Sequence, residues 1–117
     1  MTAKRVILEM GTGNDLHGGD YTKAAVRAVQ DAIHHSSLTL IRSLGVDAKT
    51  MQVEVTIGVP RPDLVDTEAV LAVLPHGSGT VRVVEGGLEI ANDAGTGKTV
   101  VANAAAVVRL DITEARR

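Results

Sequence analysis

The chain has 117 residues, 44% of them hydrophobic and 22% charged, which is the composition of one ordinary globular domain. Its net charge of -2 argues against nucleic acid or an anionic membrane as a partner, because both require clustered Lys and Arg. The absence of cysteine excludes disulfides, thiolate catalysis and cysteine-bound zinc, and no run approaches the roughly 18 apolar residues of a membrane helix. We therefore expect a cytoplasmic protein.

The chain contains a single aromatic residue, Tyr21, and neither Phe nor Trp. An aromatic side chain buries about 150–250 Å², so a core of Val, Ala, Leu and Ile limits the area that one subunit can bury by itself. We therefore expect a homo-oligomer, in which contacts between subunits add buried area. A compact monomer packed from Val and Ala is the alternative.

The first third of the chain predicts a strand, a glycine-rich loop and a helix. Residues 4–10 alternate as a strand does, and residues 11–20 form the loop. Asp20 is the predicted N-cap of the helix, since its carboxylate can accept hydrogen bonds from the first turn. The apolar residues that follow recur at helical spacing: Ala24, Ala25, Ala28, Val29, Ala32 and Ile33. The pattern resumes at residues 38–44 before Gly45, so one kinked helix and two shorter helices are both compatible with it.

The middle of the chain predicts a strand and a short helix. Residues 51–59 alternate strictly between apolar and polar side chains, which predicts a strand with one buried face. Asp66 or Thr67 can cap a short helix that extends through Leu74.

The last third predicts strands alone. Residues 80–84 and 88–91 are typical of a hairpin around Glu85-Gly86-Gly87. Residues 100–112 are alanine-rich and could be helical, but their alternation favours a strand whose small central side chains would let a helix pack close. The predicted order is β-α-β-α-β-β-β, an α+β two-layer sandwich with the helices on one face of a mixed sheet.

The glycine-rich loop holds the sharpest candidate site. Asp15 and His17 are two residues apart, so in an extended segment their side chains project to the same side. An Asp beside a His can tune a general base, and with Asp20 and Glu9 the pair could form a cluster for a divalent metal. In the alternative, Asp15 caps a turn and His17 hydrogen-bonds the loop backbone.

Two familiar phosphate-binding motifs do not fit the chain. A dinucleotide-binding G-x-G-x-x-G begun at Gly11 would need its third glycine where the chain has Leu16. The Gly-Thr-Gly-Lys-Thr run at residues 95–99 invites comparison with a phosphate loop, but a Walker A motif would need its first glycine at Asn92 and a helix after the threonine. We therefore predict a polar turn at residues 95–99.

The run from Gly11 to Gly18 matches G-x-G-x-D-x-H-G, and Asp-Tyr-Thr-Lys-Ala-Ala follows from Asp20. This pattern resembles the N-terminal signature of a small family of conserved hypothetical proteins, found in scattered bacteria and, with a long N-terminal extension, in plants. The resemblance covers most of the chain and implies no substrate, since the family has no assigned function. What it implies concerns single residues: Gly11, Gly13, Asp15, His17 and Gly18 are the motif positions of the family, and this favours a functional role for Asp15 and His17.

Two functions are compatible with these residues. In the first, the loop is a catalytic or small-molecule site, at a subunit interface, with His17 as general base or metal ligand and Asp15 as its orienting group or co-ligand. The ligand would be bound by residues of the loop and the first helical turn, namely Gly11, Gly13, Gly18, Asp20 and Lys23. In the second, the protein is a non-enzymatic oligomeric scaffold or binding module in which Asp15 and His17 are structural and exposed sheet edges join the subunits.

Overall fold

The computed structural model describes residues 4–16, 18–34, 52–74 and 78–110. Within them the chain forms a five-stranded mixed sheet and two α-helices, in the predicted order β-α-β-α-β-β-β, so the predicted α+β fold is confirmed. The strands are β1 Lys4–Asp15, β2 Gln52–Val59, β3 Ser78–Glu85, β4 Leu88–Ala91 and β5 Lys98–Leu110, and the helices are α1 Tyr21–His34 and α2 Thr67–Leu71.

The sheet is organised around β5. Its strand order is β1-β5-β2-β3, with β5 antiparallel to both neighbours and β3 parallel to β2. The short β4 pairs with the first residues of β5, on the edge that β2 occupies further along. Val101, for example, lies between Asn14 of β1 and Leu88 of β4. The strand favoured for residues 100–112 is therefore confirmed over the range that the structure describes.

The core lies between one face of the sheet and the helices. Alternate residues of β2 are buried, as the period-two pattern predicts, while Gln52, Glu54 and Thr56 are exposed. Alanine dominates the surfaces that α1 and β5 contribute, so the helix can lie close to the sheet. The buried residues of α1 and β5 are Tyr21, Ala24, Ala25, Ala28, Val29, Ala32, Val100, Ala102, Ala104, Ala106 and Val108.

Gly11 and Gly13 belong to a strand, and their assignment to a loop was wrong. β1 continues to Asp15, and neither glycine has a positive φ. A Cβ at residue 11 would lie 2.3 Å from the backbone N of Ala32, and one at residue 13 would lie 2.2 Å from the backbone N of Ala28. The two glycines are buried because the backbone of α1 passes directly over them.

The predicted hairpin of β3 and β4 is also wrong. β3 pairs with β2, and the chain then crosses the end of β2, where the Gly86 N–H donates to the Val59 carbonyl at 2.9 Å. Gly87 has φ 61, and a Cβ there would lie 2.1 Å from the Val101 carbonyl oxygen. The Gly86-Gly87 pair is thus needed for a close crossing, and the hairpin is made by β4 and β5.

The short second helix begins where the sequence predicts. Asp66 is its N-cap, accepting from the backbone N–H of Glu68 at 3.0 Å and of Ala69 at 3.4 Å. The helix ends at Leu71, before the predicted Leu74. The helical pattern predicted for residues 38–44 lies outside the described residues.

Candidate functional site

The turn after β1 is attached to the beginning of β5. The Leu16 carbonyl accepts from the Thr99 hydroxyl at 3.0 Å, and Gly18 forms a β-bridge with Lys98. His17, the strongest sequence candidate, lies outside the described residues, between these two contacts in the sequence. Its proposed roles as general base or metal ligand stay predictions.

Asp15 is buried at the end of β1, with 7% of its surface exposed. Its Oδ2 accepts the backbone N–H of Asp20 at 2.9 Å, and its Oδ1 lies 3.8 Å from Arg27 Nη1. The Asp20 N–H is the main reason that the pKa of Asp15 is lowered; Lys23, the Gly18 N–H and Arg27 act in the same direction, while desolvation opposes them. The carboxylate is therefore held in its charged form and closes the turn.

Asp20 begins α1, as predicted. Its Oδ1 accepts the N–H of Lys23 at 3.0 Å, and its carbonyl accepts the N–H of Ala24 at 3.1 Å. A carboxylate at this end of the helix also complements the helix dipole. One acidic side chain thus caps α1 while Asp15 binds the backbone of that cap, so the two predicted site carboxylates are coupled through main-chain N–H groups.

A group of polar side chains that the sequence did not reveal lies beside this turn; we call Tyr21, Arg61, Glu89 and Lys98 the Lys98 cluster. Lys98 Nζ donates to the Tyr21 hydroxyl at 2.9 Å and to Glu89 Oε1 at 3.1 Å. The Tyr21 hydroxyl donates to the same Glu89 oxygen, and Arg61 Nε lies 4.0 Å from it. The Lys98 ammonium also lies 5.0 Å from the centroid of the Tyr21 ring, within range of a cation–π contact.

The cluster joins residues from distant parts of the chain, so only one of its contacts could be predicted from residues close together in the sequence. Glu89 and Lys98 are diagonal neighbours on one face of the β4–β5 hairpin. A correct assignment of that hairpin would have predicted their ion pair. Nothing local brings Tyr21 or Arg61 to them.

Gly19 makes room for the Lys98 side chain. Its φ is 61, which favours glycine, and a Cβ there would lie 2.7 Å from Lys98 Cε. Gly18 is exposed, and a Cβ on it would lie 3.0 Å from Asp15 Oδ2. These two glycines let the turn pass close to both the lysine stem and the buried carboxylate.

Lys98 lines a groove of about 480 Å³ between the turn after β1 and the β4–β5 turn. The β4–β5 turn is closed by its own hydrogen bonds: the Asn92 N–H donates to the Gly97 carbonyl at 2.9 Å, and Asn92 Oδ1 accepts the Thr96 N–H at 3.0 Å. A strand follows it instead of a helix, so the predicted polar turn is confirmed. The remaining lining residues are Gly18, Ala91 and Gly95.

The described residues contain no group of three or more His, Asp or Glu side chains placed to hold a metal ion. The divalent metal predicted at Asp15 and His17 stays a prediction, because His17 is outside that part of the chain. No helix within the described ranges is long and apolar enough to cross a membrane.

The solved structure and the protein family that match this chain are described without an assigned function. A crystal structure of an FtsZ-like protein of unknown function from Nostoc punctiforme PCC 73102 is 38% identical, with a TM-score of 0.82 over 95% of this chain and 98% of that chain. No curated protein matches the sequence. The model of the conserved hypothetical proteins named Lin0512_fam matches residues 5–108. Since this match covers most of the sequence, the chain belongs to the Lin0512_fam family of conserved hypothetical proteins.

Proposed function

We propose that the chain binds a small polar molecule with an anionic group in the groove beside Lys98, and that His17 acts there as an acid–base group or as a ligand to a divalent metal. The observation that carries the proposal is Lys98, whose ammonium donates to Tyr21 and Glu89 and which lines a groove together with Gly18. A cation fixed in this way needs little reorganisation to bind an anion.

Lys98 has the hydrogen-bonding capacity for such a ligand. An ammonium group donates three hydrogen bonds, and Tyr21 and Glu89 accept two of them among the described residues. The third is available to an oxygen of a carboxylate or phosphate in the groove. The neighbouring Gly18 and Gly97 leave space for close approach of a ligand to the main chain.

The residues of the proposed site are not the same as those of the glycine-rich loop that the sequence predicts as the site. Gly11 and Gly13 are buried against α1 and are excluded from it. Asp15 is a positioning residue, since its carboxylate holds the turn. Lys23, which is exposed in the first turn of α1, is the second cation of the proposal.

Calorimetric titration with inorganic phosphate tests the anion site. We expect Lys98→Met to weaken phosphate binding about tenfold, equivalent to about 1.4 kcal/mol. Arg82→Met removes an exposed positive charge on β3 and is the matched control, for which we expect little change. Equal phosphate affinity in wild type and Lys98→Met would contradict the proposal. A loss of phosphate affinity in Lys23→Met but not in Lys98→Met would assign the anion site to the start of α1 instead.

Titration with Zn²⁺ tests the part assigned to His17. We expect His17→Ala to lose Zn²⁺ affinity or to alter the pH dependence of phosphate binding while keeping the wild-type stability. His76→Ala is the control, as it removes a histidine from a different part of the chain. A large loss of stability in His17→Ala, with unchanged binding of both ions, would exclude its role in the site.

A non-enzymatic scaffold is the second candidate, and a specific observation favours it. Each of four predicted site residues has a structural contact: Gly11 and Gly13 with α1, Asp15 with the turn and Asp20 with the helix start. The titrations above separate the two candidates, since a scaffold would bind neither ion. We keep the predicted cytoplasmic location within this proposal; fractionation of cells that express the tagged chain tests it.

A further inference from the structure

The side of the sheet opposite α1 and α2, which we call the open face, carries two groups of exposed apolar side chains with the polar pair Thr12 and Asn103 between them. On it, Leu8 is 48%, Met10 71%, Leu88 60% and Ile90 56% exposed. The register of the strands places Val101, Ala105 and Val107 of β5 between them. Both helices pack on the other side of the sheet, and Asp31 of α1 reaches this face at the β1 edge, where its Oδ2 accepts the Thr12 N–H.

The open face does not have the composition of a solvated sheet surface. An antiparallel sheet with one face in water normally alternates apolar side chains inward with polar ones outward. Here β2 follows that rule, but β1 and β4 place large apolar side chains outward. Exposed apolar patches bordered by polar residues mark interaction sites.

The charges on the open face are compatible with a copy of itself. Glu54 and Arg109, in adjacent strands, form an ion pair at 3.2 Å between Oε2 and Nε. Arg82 lies on β3, at the far edge of the sheet. Within the described part of the face, Arg109 is thus already paired with Glu54, which favours a symmetric, isologous contact over β1, β4 and β5.

The free edge of β1 is a poorer candidate for association than the face. The Thr12 N–H donates to Asp31 Oδ2 at 3.0 Å, and the Asn14 carbonyl accepts from Arg27 Nη1 at 2.7 Å. Side chains of α1 thus take up backbone groups at the C-terminal end of this edge. This part of the edge is therefore protected from pairing with another strand.

The size of the open face suits a stable dimer. β1 and β5 have 12 and 13 residues, so at ~3.3 Å per residue they run for about 40 Å. β1, β5 and the line formed by β2 and β4 span about 14 Å at ~4.8 Å per strand, which gives a flat area of about 600 Å². Side-chain relief raises the accessible area towards the ~800 Å² per partner of standard interfaces.

The open face also has a surface depression and an exposed methionine beside it. Gly58 and Ala105 are small, and they help to form a depression of about 580 Å³ with Thr56, Asn103 and Asp31. Met10 also lines the depression and is 71% exposed. A flexible thioether side chain can enter the same depression of a second copy.

We propose that the open face is the interface with a second copy of this chain, with two sheets packed face to face. This goes beyond the ligand site, which lies on the helix side of the sheet. Sedimentation equilibrium of the wild type is expected to give a multiple of the 12.2 kDa chain mass. A 12.2 kDa particle that persists at high concentration overturns the proposal.

Charged substitutions on separate strands test which surface is buried. We expect Met10→Glu and Ile90→Glu each to weaken association about a hundredfold, because each copy buries an unpaired carboxylate. Leu64→Glu is the matched control, since Leu64 is 51% exposed and lies in the 3₁₀ turn Pro62–Leu64, away from the open face. Association that both open-face variants keep, or that Leu64→Glu loses to the same extent, overturns the proposal.

A labelling experiment provides a second test, which does not depend on whether the charged variants fold. The chain has no cysteine, so Met10→Cys introduces a unique thiol in a side chain that the isolated subunit leaves exposed. We expect a bulky maleimide to react slowly at high protein concentration and at least tenfold faster after dilution below the dissociation constant. Leu64→Cys is the control with no such dependence. Equal rates at both concentrations for Met10→Cys contradict the interface.

Discussion

Asp15, a candidate catalytic residue by its sequence, has a structural contact at the end of β1. Its carboxylate accepts the Asp20 N–H at 2.9 Å, and this hydrogen bond lowers the pKa of Asp15 below its ordinary value of 3.8. The unfolded chain therefore binds the proton more readily than the folded chain. The stabilisation is fully present above pH 3.8 and is lost as the pH falls through the lowered pKa.

Urea unfolding at a series of pH values tests this assignment with the variant Asp15→Asn. We expect the variant to be less stable than the wild type at neutral pH, and the difference in unfolding free energy to shrink at pH values below 3.8. Asp63→Asn, at an exposed residue of the 3₁₀ turn, is the control. A difference for Asp15→Asn that stays constant down to acid pH would show that the carboxylate charge is not what holds the turn.

Gly13 is required for close packing rather than for a positive φ. A Cβ there would lie 2.2 Å from the Ala28 backbone N and 2.5 Å from the Ala24 carbonyl oxygen, and neither atom belongs to a side chain that could rotate away. We expect Gly13→Ala to cost about 3 kcal/mol or more, at the upper end of the range for overpacked cores. Gly95→Ala has open space and should cost only about 1 kcal/mol for its φ of 68. Denaturant unfolding of both variants measures the difference, and equal costs would contradict it.

At the scale of elements, α2 depends on a cap that links it to α1. The Asp66 carboxylate accepts two N–H groups of the first turn, while the Asp66 N–H donates to the Thr22 hydroxyl at 2.9 Å. We expect Asp66→Ala to lower the free energy of unfolding by about 1 kcal/mol, and Asp66→Asn, which keeps an acceptor, by much less. Chemical denaturation of the two variants provides the measurement, and equal losses would point to charge instead of capping.

Strands β3 and β4 show where a local signal and the fold disagree. Glu85-Gly86-Gly87 has the chemistry of a hairpin turn, and nothing local distinguishes a turn from a close crossing. Only the position of β2, whose Val59 carbonyl accepts the Gly86 N–H, decides between the two. The alternation of β5, in contrast, was sufficient to predict a strand despite its alanines.

At the scale of the whole molecule, the two faces of the sheet carry different features. The helix side carries the core and, at the N-terminal end of α1, the Lys98 cluster and its groove. The open face carries the proposed contact with a second copy. A core with a single aromatic residue gives a physical reason for that contact, since apolar area absent from one subunit can be buried between two.

The sequence by itself determined the order of elements, the buried face of β2 and the caps at Asp20 and Asp66. These features depend on side-chain periodicity and on hydrogen bonds within a few residues, so local pattern is sufficient for them. Only the tertiary structure decided that Gly13 is a packing glycine and that Tyr21 meets Lys98, 77 residues away. Contacts between distant residues depend on which strands pair and how closely the helix packs, and neither is encoded in the spacing of nearby side chains.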